Sequence, residues 1–284
     1  TIYCLSPWLI GVLGGGADVV STFFPMEQAP SQSLGDALRN VAAIPFTFNG
    51  YTTHMWYIYM LIGLYFVMPF MSAWIEKDDR TMTRTFVILW SCSLLLPYLS
   101  YAVAPYILGE CAWNDFGTLY CFAGFSGYLL LGHLLKNGNP LKTRQVLLLA
   151  LLLFASGYAI TYTGFRSMSA QYSYDEHPEL LEMFWQFCSP NVVIMAIALF
   201  IAVQRAEIRS PRAQRLLSDI SRCSFGAYLM HYLLIGPAVL LLAPLHLPTP
   251  LHVLCAVVIV FAACWAITHA IYALFPRAAR YIVG

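Results

Sequence analysis

The chain has 284 residues, of which 60% are hydrophobic and only 10% charged, with a mean hydropathy of +0.67 and a formal net charge of +1. A soluble domain is nearer half apolar and a quarter charged, so this much apolar surface does not fit inside one water-soluble core. The net charge says nothing about nucleic acid, but the chain has no basic domain or arm, and no nucleic-acid partner is expected.

A bilayer core about 30 Å thick needs roughly 20 apolar residues per helix. Eight stretches meet that need, at about 4–24, 53–75, 84–107, 118–135, 145–163, 184–203, 222–243 and 250–275. The expected fold class is therefore all-α: a polytopic integral-membrane helical bundle of about eight transmembrane helices, forming one domain over 1–284. In the first stretch Gly14, Gly15 and Gly16 precede Asp18 and point to a kink or an early end. The second opens with "YTTHMWYIYMLIGLYFVMPF", which sets His54 and Trp56 beside Tyr57 and Tyr59 at its outer end. These rings read either as an interfacial anchor or as part of an outward-facing cleft for a carbohydrate or lipid-linked sugar.

Further along, Cys111 sits in a loop with Cys121 ten residues on, as a disulfide or as two free thiols. The cysteines form no CxxC pair and no Cys/His cluster with metal spacing, so no metal site is expected. The stretch "GFRSMSAQYSYDEHPELLEMFW" reads as a solvated loop or as an amphipathic lid starting near Pro178. The seventh span is "SRCSFGAYLMHYLLIGPAVLLL", with Ser224, Tyr228 and His231 spaced i, i+4, i+7 along one helical face. An unpaired polar group in hydrocarbon costs several kcal/mol, so this stripe must face protein or a water-filled cavity. It serves either to bond a neighbouring helix or to line a binding site.

Basic residues give an independent reading of topology. Lys77, Arg80 and Arg84; Lys136, Lys142 and Arg144; Arg205, Arg209, Arg212, Arg215 and Arg222; and Arg277 and Arg280 fall in alternate loops, leaving only Arg39 and Arg166 for the others. That segregation places both termini on the cytoplasmic side. Arg205, Arg209 and Arg212 either set this topology or hold the phosphates of a nucleotide-like donor.

The segments "HMWYIYMLIGLYFVMPFM", "CFAGFSGYLLLGHLL" and "SRCSFGAYLMHYLLIGP" occur in this order, and with them the chain resembles the membrane acyltransferase-3 family. Members of that family acylate sugars of bacterial envelope glycans. The resemblance runs from about residue 1 to the final "RAARYIVG". It implies an O-acyltransferase of the bacterial cytoplasmic (inner) membrane. The acyl group, acetyl foremost, would pass from acyl-CoA to a hydroxyl of a carbohydrate or glycolipid acceptor, with no tightly bound cofactor. It implies substrate contact by His54, Trp56, Ser224, Tyr228 and His231, and donor-phosphate contact by Arg205, Arg209 and Arg212. The family fold has ten spans, and "LSPWLIGVLGGG" resembles the start of its third. The resemblance thus implies that the family's general-base histidine lies outside these residues and that His231 is not its counterpart. The catalytic residues stay unassigned. Two other expectations stand beside this one: a transporter or flippase of an acyl or glycolipid substrate, and a truncated, inactive family member.

Overall fold

The computed structural model describes residues 2–13, 22–23, 32–48, 50–77, 80–136 and 141–282. Among them no strand occurs, and the fold class is all-α and polytopic, as expected. The helices are α1 (Ile2–Val12), α2 (Leu34–Ala43), α3 (Trp56–Lys77), α4 (Thr81–Ser93), α5 (Leu96–Ala102), α6 (Ser126–Leu135), α7 (Thr143–Ser169), α8 (Pro178–Glu182), α9 (Pro190–Val203), α10 (Pro211–Leu242), α11 (Thr249–Leu274) and α12 (Pro276–Ile282).

Five helical stretches among the described residues are long and apolar enough to cross a membrane: Thr52–Lys77, Thr81–Ala102, Thr143–Ser169, Pro211–Leu245 and Thr249–Leu274. The remaining three expected spans coincide with shorter apolar helices, Tyr3–Val12, Ser126–Leu135 and Pro190–Val203. The first is helical to Val12, and the glycine triplet with Asp18 lies outside the described residues. Two features depart from the expected layout. Residues read as a loop form α2, capped by the Ser33 hydroxyl accepting from the Asp36 amide at 3.1 Å. In addition α10 begins at Pro211, well before the apolar run, because Ser210 followed by proline at the first helical position is a strong helix start. The short α8 does begin at Pro178, and Cys111 and Cys121 are separate free thiols.

The chain packs as two compact units, one of residues 1–61 with 208–284 and one of residues 62–207. In the first, α10 packs along α11 through Ala238, Val260 and Cys264, with Ala227, Met230 and Leu234 around them. Small residues at this seam let two membrane helices approach closely. A second cluster joins α1 to α10 through buried Tyr3 and Tyr232.

In the second unit α7 lies against α9 through Val146, Ala150, Ala198 and Ile201. Trp90 of α4 is fully buried against α6 and donates from its indole nitrogen to the Gly124 carbonyl at 2.8 Å. Gly127 makes room for that indole: a Cβ there would sit 2.1 Å from the ring. Gly127→Val is therefore expected to displace Trp90 and cost about 1–3 kcal/mol. The check is the thermal midpoint, with Gly132→Val as control, since Gly132 on the same helix has open space around it.

Candidate functional site

Two segments of the first unit converge on the middle of α10. Tyr3 of α1 donates its hydroxyl to the Leu229 carbonyl at 2.7 Å. Tyr228 donates to the carbonyl of His54, in the 3-10 turn 50–55 that precedes α3. Those two bonds carry the His54 ring into a nest of aromatic groups. It stacks on Tyr232 with centroids 4.7 Å apart and planes 13° from parallel. Tyr3 meets it at 4.6 Å, and His231 lies edge-on to it at 5.5 Å.

Both ring nitrogens of His54 are buried and have no hydrogen-bond partner among the described residues. An imidazole always carries at least one donor, and leaving such a group unsatisfied costs about 1–3 kcal/mol. Phenylalanine would fill the same nest without that cost.

His231 is different. Its Nδ1 lies 2.6 Å from the Tyr228 carbonyl. A carbonyl only accepts, so Nδ1 carries the hydrogen, and in the neutral ring Nε2 is left as an acceptor. Ser224 donates to the carbonyl of Ser221 in its own helix at 2.7 Å.

Ser224, Tyr228 and His231 line a groove of about 630 Å³ between α10 and α11. That volume is in the range of small-molecule sites. The facing wall on α11 is apolar, from Val253 through Val257 and Phe261 to Cys264. His252 closes one end, and its Nε2 is buried without a hydrogen-bond partner among the described residues.

The expected site residues divide accordingly. His54, Tyr228 and His231 come together, and Ser224 shares their groove one turn away. Trp56 meets Tyr57 at 6.2 Å. Positions two apart at the start of a helix do not face each other, which separates it from His54. Tyr57 is the ring that turns in, at 5.5 Å from Tyr228. Arg205 belongs to the second unit, where it donates to the Leu141 carbonyl at 3.3 Å. Arg209 and Arg212 are exposed residues of the first unit near the start of α10.

Sequence reasoning missed Tyr3 and Tyr232. It also missed a polar group on α10 and α11. Among the described residues Asp219, Cys223 and His269 bring a carboxylate oxygen, a thiol sulfur and an imidazole nitrogen within 4.8 Å of one another. Arg222, 2.5 Å from the same carboxylate, opposes a cation there. The signal available was two polar pairs at helical spacing, Asp219 with Arg222 and Trp265 with His269, on otherwise apolar helices.

The family model described as an acyltransferase domain matches residues 1–269. The chain belongs to the acyltransferase-3 family. No curated protein and no solved structure gave a match. Membership makes this a membrane protein of acyltransferase type.

Proposed function

We propose that this acyltransferase-3 protein moves an acyl group, acetyl foremost, from acyl-CoA to a hydroxyl of a carbohydrate or glycolipid in a bacterial inner membrane. The observation that carries the reading is the family match over 1–269, which makes acyl transfer the chemistry to be placed. The buried, unpartnered imidazole of His54 supports an acceptor role for the nest around it. A sugar hydroxyl can accept from the protonated ring nitrogen or donate to the other. His231 and Tyr228 extend this polar surface along the groove, whose apolar far wall suits a lipid-borne portion of the acceptor. Positioning of the hydroxyl against the thioester supplies much of the rate in such a reaction.

The test is transfer of radiolabel from acetyl-CoA to envelope glycan in membranes carrying the protein. Label in the glycan is expected. Glycolipid moved across the membrane with no label transferred would replace this reading with a transporter. Within the same assay His231→Ala is expected to lower transfer about tenfold or more, the value of a hydrogen bond to a reacting group. Membrane insertion should be unchanged. Full transfer in that variant would confine His231 to packing.

A further inference from the structure

The α2 segment has no part in the site above, and its two sides call for different surroundings. Asp36 and Arg39 form an open ion pair at 3.7 Å, with the arginine side chain 83% exposed. Charges this open need water or headgroups around them, because hydrocarbon would cost several kcal/mol. Leu34 and Leu38 lie one turn apart on another face, with Leu38 54% exposed. Ala37 is fully buried, and α1 packs along α2. Part of the apolar stripe is therefore covered by protein, and Leu34 and Leu38 are left open. Past the helix Phe46 is open too, at 87% exposure. Water suits one side of α2 and lipid suits the other.

The depth of α2 is set by α3. The Tyr59 hydroxyl shares its hydrogen between the carbonyl of Thr47, at 2.9 Å, and that of Ile44, which caps α2. Phe48 meets the Tyr59 ring at 5.9 Å. Tyr59 stands in the first turn of α3 with Trp56 and Tyr57, inside a stretch long and apolar enough to cross a membrane. Trp and Tyr rings at the end of a span collect at the headgroups. The end of α2 is thereby tied to that level.

We propose that α2 and the Phe46–Phe48 turn are an interfacial anchor whose partner is the phospholipid bilayer. It lies in the headgroup–acyl boundary where α3 begins, with Leu34, Leu38 and Phe46 in lipid and the Asp36–Arg39 pair in water. Helices of this kind sink their apolar side roughly 5–10 Å into that boundary. The open face is continuous through Tyr59 with a membrane-spanning helix. A second copy of the chain is a poorer occupant, since these few side chains fall well short of the roughly 800 Å² per partner of a stable protein interface. The anchor also acts on the site. Tyr59 follows closely on the 50–55 turn that carries His54, so lipid holding α2 fixes the depth of that turn.

The test uses the purified full chain in vesicles of phosphatidylethanolamine and phosphatidylglycerol. Benzoylphenylalanine is placed at position 38 or at position 39, the vesicles are irradiated, and adducts are read by intact mass. Position 38 is expected to gain one phospholipid, and position 39 several-fold less. Equal labelling at the two positions overturns the proposal. So does a chain-to-chain adduct at position 38, which would make this face a contact between copies. Amide hydrogen exchange over residues 34–43 in the same vesicles is the second readout. Leu38→Asp should quicken it about tenfold or more, the equivalent of returning one leucine side chain to water. A side chain already in water predicts no more than about a threefold change, and that result also overturns the anchor. Neither readout depends on acyl transfer, so the proposed function stands or falls separately.

Discussion

Replacing His54 with phenylalanine should make the protein more stable and a poorer enzyme. Phenylalanine keeps the stack on Tyr232 and the contact with Tyr3, so the nest stays filled. It removes two nitrogens that are buried without partners among the described residues. The gain is about 1–3 kcal/mol, the usual cost of one unsatisfied buried polar group. If the nitrogens meet the acceptor, transfer falls about tenfold or more, with acceptor KM raised further than donor KM. A thermal midpoint and two-substrate kinetics check both halves. Lower stability with undiminished transfer would mean that the imidazole serves the fold, and the acceptor cleft would have to be sought elsewhere. Few substitutions separate a structural from a functional histidine so cleanly, because the two readings differ in sign.

Asn191→Leu should strongly destabilise the second unit. Asn191 is 2% exposed and ties three parts of that unit together. Its amide nitrogen donates to the Phe184 carbonyl at 2.6 Å and to Thr161 Oγ1 at 2.7 Å, and its oxygen accepts from Tyr98 at 3.1 Å. Tyr98 and Thr161 keep second acceptors, the carbonyls of Met183 and Gly157. The Phe184 carbonyl loses this bond with nothing in the new side chain to replace it. Gly157 lets the two helices approach here, since a Cβ there would meet the Asn191 backbone carbonyl at 2.7 Å. Isolated interhelical hydrogen bonds in membranes average only about 0.6 kcal/mol. Three on one residue, with an acceptor stranded, should cost about 2–4 kcal/mol. Unfolding temperature and protease sensitivity of the 170–189 segment measure this. A change below about 0.5 kcal/mol would show that water replaces the amide and that this node is not a keystone.

Hydropathy made the spans legible because apolar runs are local in sequence. It was blind where a helix continues through polar residues: α10 carries Arg212, Arg215 and Asp219 before its apolar part, so its first turns looked like loop. α2 was missed for a related reason, since a ten-residue amphipathic helix lacks the run that marks a span. The Ser224, Tyr228, His231 face was readable from 3.6-residue periodicity alone. The contacts that give it meaning were not. His54 reaches Tyr228 across 174 positions, and Asp219 reaches His269 across 50. Nothing in either local stretch encodes its partner. Only an unexplained polar residue in an apolar run hints that one exists, and that hint was followed for His231 and passed over for Asp219.

The short apolar helices carry a mechanical consequence. α6, with ten residues, rises about 15 Å, and α9, with fourteen, about 21 Å. The hydrocarbon of an average bilayer is about 30 Å deep. Beside them α7 and α11, with 27 and 26 residues, rise about 40 Å. The short helices therefore match that depth only together with the non-helical segments that flank them, and it is there, where backbone groups lack helical partners, that polar side chains and water have to enter.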